Sequence, residues 1–172
     1  MVTKMEFSKL INIRESCRNF DSEKKVETEL LKKCVEMACL APSACNSQPW
    51  RYVVVNNAQL REKVAKGVQD NGFNSFASKA PAFIVVYGED AKMAKQFDGL
   101  IADNNSFRDN DLGIGIAYLT LAASDNGLST CIIGWRNDSK INEALGQPLD
   151  KKVHCVIAIG YTLCEEPRKK KR

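Results

Sequence analysis

The sequence predicts one α+β or α/β domain, and three observations carry that expectation. Helical stretches with an apolar face alternate with short β-branched runs. The length of 172 residues fits a single domain, and Leu, Ile, Val and Phe supply 43 of them, enough to exclude a disordered chain. No repeat, linker or low-complexity segment interrupts the chain before its last five residues.

Phe7, Leu10 and Ile11 mark a first helix that ends before the polar stretch 14–22. A second runs from about Glu27 to Leu40, with Leu30, Leu31, Cys34, Val35 and Ala38 on one face, and Pro42 stops it. Trp50 to Val55 is the first strand, and Ala58 to Val68 the next helix. Ala82 to Gly88 is apolar without interruption, as in a strand buried on both faces. From about Asn110 to Asp125 a helix carries Leu112, Ile116, Leu119 and Ala123 in a stripe wide enough for burial on several sides. Gly113 and Gly115 within it would admit another helix closely, and Gly127 is its stop. A third buried strand over Thr130 to Gly134, a short helix from Asp138 and a last strand from Val153 to Thr162 complete the order. So apolar a helix in a short chain is covered either by the centre of a monomer core or by a second copy.

The formal charge of +4 belongs to the tail. Residues 168–172 are all basic, which leaves 20 basic and 21 acidic residues ahead of them. No run is long and apolar enough for a membrane span and the N-terminus is charged, so the expectation is a cytoplasmic protein that binds neither membrane nor nucleic acid. Seven cysteines, an odd number without CxxC spacing, read as reduced thiols rather than a metal site. The single histidine, His154, sits in an apolar strand and reads as a sheet residue.

Three segments are more polar than their neighbours require. In Arg14-Glu-Ser-Cys-Arg18, two arginines flank a hydroxyl, a set suited to a phosphate or equally to a solvated turn. Ala41-Pro-Ser-Ala-Cys-Asn-Ser-Gln-Pro-Trp50 exposes backbone groups with Ser43, Asn46 and Gln48, suited to a heterocycle or simply to a helix stop. Gly127 to Trp135 ends a strand in Gly134, where a ligand can approach closely.

At these residues the chain resembles the FMN-dependent nitroreductase superfamily in its short single-domain form. The matches are R-x-S-x-R-x-F (Arg14 to Phe20), A-P-S-A-x-N-x-Q-P-W (Ala41 to Trp50), A-P-x-x-I-V-V (Ala80 to Val86), G-L-x-T-C-x-I-G (Gly127 to Gly134), and I-G-Y with E-E-P and basic residues at the end. They occur in family order over nearly the whole chain.

The resemblance implies an α+β nitroreductase-like fold with a central mixed sheet flanked by helices, in an intertwined homodimer with FMN at the interface. Residues 1–167 would form the domain, and the tail would complete the FMN site. Carried over by position, Arg14 and Ser16 hold the phosphate, with Glu15 contributing backbone, and Arg18 faces the ribityl chain and the N1/C2 edge. Pro42, Ser43, Ala44 and Asn46 of the other subunit line the ring. Cys131, Ile132, Ile133 and Gly134 run past its other face, and Lys170 and Arg172 reach the phosphate. Some members carry a glutamate where this chain has Ile133, and an asparagine ahead of the Ala-Pro strand could be Asn71 or Asn74. The implied activity is hydride transfer from NADH or NADPH through FMN to a nitroaromatic or quinone, with no side chain acting as acid or base. The alternatives are a protein for which flavin is cargo or substrate, and a nucleic-acid module using the tail.

Overall fold

The computed structural model describes residues 6–92, 94–97 and 104–166. Its main elements, in order, are α1 Phe7–Ile13, α2 Thr28–Cys39, β1 Trp50–Val55, α3 Ala58–Val68, β2 Ala82–Gly88, α4 Asn104–Asp125, β3 Ser129–Ile133, α5 Asp138–Leu145 and β4 Val153–Gly160. The strands form one sheet in the order β1-β2-β4-β3, with every neighbouring pair antiparallel. The parallel component expected of a mixed sheet is confined to one bridge, Ser16 to Thr130, outside the edge strand β3. Helices cover both faces, so the fold class is α+β.

The continuous apolar run of β2 has the reason anticipated for it. Ala82, Ile84 and Val86 pack with residues of α2 and α4, whereas Phe83, Val85 and Tyr87 pack on the other face with residues of α3 and α5. Each large aliphatic or aromatic side chain removed from water here contributes about 1.5–3 kcal/mol. Local signals set the ends of the smaller helices. Asn57 caps α3 by accepting from the N–H groups of Gln59 and Leu60, and Asn137 caps α5 through Lys140. Gly127 and Gly146 take positive φ just beyond α4 and α5.

Three expectations change. The helix α4 begins at Asn104, earlier than Asn110, because the polar, weakly helix-favouring residues of its first turns hide the start. The strand β3 lies at an edge and is not buried throughout: Ile132 is 47% exposed. The two helix glycines also differ. A Cβ on Gly115 would stand 2.5 Å from Tyr52 Oη and 3.4 Å from the Trp50 ring, so the close approach is to β1 and not to another helix. Nothing lies within 4 Å of such an atom on Gly113. Gly113, Ala117 and Tyr118 form an exposed strip along α4, with Tyr118 43% exposed, so the helix is not covered all round within one chain. Among the described residues no helix is long and apolar enough to cross a membrane.

Candidate functional site

The chain leaves α1 at Arg14 in an extended conformation and runs beside β3. Cys17 N–H donates to the Thr130 carbonyl at 2.9 Å, and Asp21 N–H to the Tyr161 carbonyl at the same distance. Cys17 and Phe20 are buried and act as the pins of the segment. Arg14, Glu15 and Ser16 are therefore held half-buried while Arg18 stays exposed. Arg18 Nη1 donates to the Ser16 carbonyl at 3.3 Å, and its guanidinium lies 5.9 Å from the centre of the Phe76 ring. Glu15 lines a cavity of about 220 Å3 with Ile13, Thr162, Glu165 and Glu166. The end of the described chain thus returns beside the Arg14 segment, while Lys170 and Arg172 lie outside the described residues.

On the strand itself, Cys131 and Ile133 face the α3/α5 core, leaving Ile132 and the backbone around Gly134 accessible. A Cβ on Gly134 would meet nothing within 4 Å, so this strand end opens onto free space. Two contacts fix it that spacing along the chain does not announce. The guanidinium of Arg136 donates to the carbonyls of Gly134 and Val153 and pairs with Asp138, clamping the end of β3 to the start of β4. Asn74 Nδ2 donates to the carbonyls of Val68 at 2.9 Å and Trp135 at 3.2 Å, which makes Asn74, rather than Asn71, the asparagine tied to this strand end. Beside it the rings of Phe73 and Trp135, 54% and 51% exposed, stand 4.9 Å apart. Asp70 anchors the same corner: Lys140 and then Asn137 hydrogen-bond its carboxylate and hold it below the usual carboxylate range.

The third segment is a strained loop. Cys45, Asn46 and Gln48 take φ of 50°, 51° and 46°, the left-handed region that side-chain-bearing residues avoid. Three such residues in four positions cost on the order of 1–3 kcal/mol each, and strain of this kind collects where a binding surface demands it. Specific contacts hold the loop: Gln48 N–H donates to Ser43 Oγ at 3.0 Å and Ala44 N–H to Asp111 Oδ2 at 3.0 Å. Pro42 and Asn46 are exposed, and Ser43 and Ala44 half-exposed.

One chain does not bring all of these residues together. Arg14 to Arg18 lie outside β3, and residues 42–46 lead into β1, the opposite edge. Three strand spacings separate the edges, roughly 14 Å. Apolar helix–sheet packing fills both faces between them. Among the described residues no group of three or more His, Cys, Asp or Glu could hold a metal ion.

A sequence model described as the Nitroreductase family matches residues 11–71 and 65–161. An oxygen-insensitive NADPH nitroreductase of Helicobacter pylori (strain J99) is 27% identical, over 95% of this chain and 90% of its own. Human iodotyrosine deiodinase 1 is 23% identical, over 91% of this chain and 61% of its own. A structure from Exiguobacterium sibiricum solved in complex with FMN superimposes with a TM-score of 0.82 at 23% identity, covering 98% of this chain and 93% of that one. Both stretches of the family match together span all four strands and the two polar segments at the sheet edges, and on that ground the chain belongs to the Nitroreductase family.

Proposed function

We propose that this protein is an FMN-dependent oxidoreductase acting as a homodimer, which takes a hydride from NADH or NADPH and delivers reducing equivalents to a small planar acceptor such as a nitroaromatic or quinone. The observation that carries this reading is the placement of the two polar segments at opposite sheet edges. A ligand touching both must lie between two chains, and the exposed strip Gly113, Ala117 and Tyr118 on α4 is an apolar surface a second copy would cover. The names of the relatives, a nitroreductase and an FMN complex, support the cofactor and the donor.

The residues present suit FMN. Its phosphate needs cations and donors, which Arg14, Ser16 and the backbone at Glu15 supply on a fixed stretch of chain, with Lys170 and Arg172 of the tail as further cations. Its flat ring needs an open strand end, which Ile132 and Gly134 provide, Ile133 lending only its backbone because its side chain is buried. Residues Pro42, Ser43, Ala44 and Asn46 of the second copy close the other side. When bound, the flavin supplies the two-electron chemistry. The work of the chain would be to hold it: Arg18 would supply a positive charge that favours the reduced flavin, and the Arg136 clamp keeps Gly134 in place. The Phe73 and Trp135 rings are tilted 51° to each other, so a flat acceptor would stack on one of them rather than on both.

Anaerobic titration of the purified protein with each nucleotide, followed by its visible spectrum, is the test. Bleaching of a bound flavin by NADH or NADPH is expected. A protein that takes up no FMN would overturn the proposal, and flavin that neither nucleotide bleaches would point to cargo or substrate.

A further inference from the structure

A second polar site lies at the sheet end where β2 finishes and β4 begins. Gly88, Arg108, Asp109, Leu112, Lys152 and His154 line a cavity of about 250 Å3, sharing no residue with the Arg14 or Pro42 segments. This is smaller than sites for drug-sized ligands, which start near roughly 300 Å3.

Two features of the fold aim cations into it. Pairing of β2 with β4 joins Val86 to Cys155 and Tyr87 to Val153, so His154 is the extra residue of a bulge, a device that re-aims a side chain at the cost of one ladder position. The glycine at 88 gives Arg108 its path. A Cβ there would stand 2.8 Å from Leu112 Cδ1 and 3.2 Å from Arg108 Cδ. The arginine side chain thus lies across the end of β2, only 18% exposed. Its Nε pairs with Asp109 at 3.0 Å, while its Nη1 is 3.8 Å from Asp90, too far for a hydrogen bond, so the outer edge of the guanidinium can still donate to a ligand.

We propose that this cavity binds one small oxyanion, a phosphate dianion either free or as a phosphate monoester, between Arg108, Lys152 and His154. A doubly charged anion would be met by two cations and an imidazole able to gain a third charge, opposed among the described residues by Asp109 in the lining and by Asp90, 3.8 Å from Arg108 Nη1. Burial holds His154 below its usual range. Asp109 raises its pKa, while Arg136, Arg108 and Lys152 lower it. A bound dianion reverses that balance.

His154 is the only histidine of the chain, so its ring signals in a proton–nitrogen NMR spectrum are unambiguous. The experiment titrates pH on FMN-loaded protein freed of excess FMN, since FMN is itself a phosphate monoester, at increasing inorganic phosphate, then adenosine monophosphate, with chloride at matched ionic strength as control. The expected result is a saturable rise of the His154 pKa with phosphate or the monoester and not with chloride. Tighter binding of one of the two identifies free phosphate or an ester as the occupant. Arg108→Gln and Lys152→Gln should each weaken it about 10-fold or more, the loss of one charge-assisted hydrogen bond. If Arg108→Gln fails to fold, Lys152→Gln, an exposed position, carries the comparison. A rise no larger than chloride gives, or binding unchanged in the folded variants, would overturn the proposal. The signal is read the same way if FMN does not bind, so failure here and failure of the oxidoreductase reading are separate results.

Discussion

The backbone N–H of Ala44 donates to the carboxylate of Asp111 across 3.0 Å, and Asp111 is only 3% exposed. A buried acid on α4 thus anchors the left-handed loop proposed to line the flavin of the other subunit. Asp111→Ala removes the acceptor and leaves the Ala44 N–H without it, a change worth about 1–3 kcal/mol. Asp111→Asn keeps an oxygen in place and should cost less. Chemical denaturation and FMN titration of both variants check this. The alanine variant should lose stability and bind FMN more weakly, with the asparagine variant between it and wild type.

The proposed dimer makes a separate demand on α4. Tyr118 lies on the exposed strip with Gly113 and Ala117, and tyrosine is among the residue types enriched at the few interface positions whose truncation costs about 2 kcal/mol or more. Tyr118→Lys places a charge there without disturbing the core. Light scattering should show the mass falling from twice 19.1 kDa towards a single chain at micromolar concentration. Bound FMN should fall in parallel, because each proposed site takes residues from both chains. A monomer with full FMN content would remove the two-chain site.

How much of this was legible in the sequence follows from the range of the interactions. The bounds of β1, α3 and β2 can be read from local periodicity and match residue for residue, because an amphipathic face or a doubly buried strand leaves its pattern in consecutive residues. The edge position of β3 cannot be read, since Thr130-Cys-Ile-Ile has the same apolar character whether one or two strands flank it. The polar segments announce themselves by composition. Their placement at opposite edges does not, and neither do the Arg136 clamp or the Asn74 to Trp135 bond, which join residues 17 and 61 positions apart. Of such contacts only the residue types are visible beforehand.

The phosphate end of the proposed site separates the roles of the arginines. Arg14 is half-buried on a pinned stretch of chain, so its backbone needs little further ordering on binding. Arg14→Ala should weaken FMN by about 10- to 100-fold, the range for one charge-assisted hydrogen bond. Fluorescence quenching of free FMN measures it. Arg172→Ala tests the tail in the same assay: a smaller but measurable loss is expected, and unchanged affinity would make the tail ornamental.

The thiols divide by burial. Cys39, Cys45 and Cys164 are exposed, and Cys17, Cys34, Cys131 and Cys155 are buried. An aromatic disulfide reagent at neutral pH should therefore modify the first three quickly and the other four only as the protein unfolds. Burial pushes Cys34 up to about 11 and Cys155 up to about 12, against an ordinary 9.0. A pKa raised by folding means that the folded state keeps a proton the unfolded chain releases. The stability linked to these thiols is therefore fully present below pH 9, falls as pH rises through the folded values, and is lost above them. Denaturation midpoints measured from pH 7 to 11 should decline in the alkaline part of that range. The decline should be shallower in Cys155→Ala, which has no thiol there to ionise, and an identical slope in both proteins would show that Cys155 contributes nothing to alkaline unfolding.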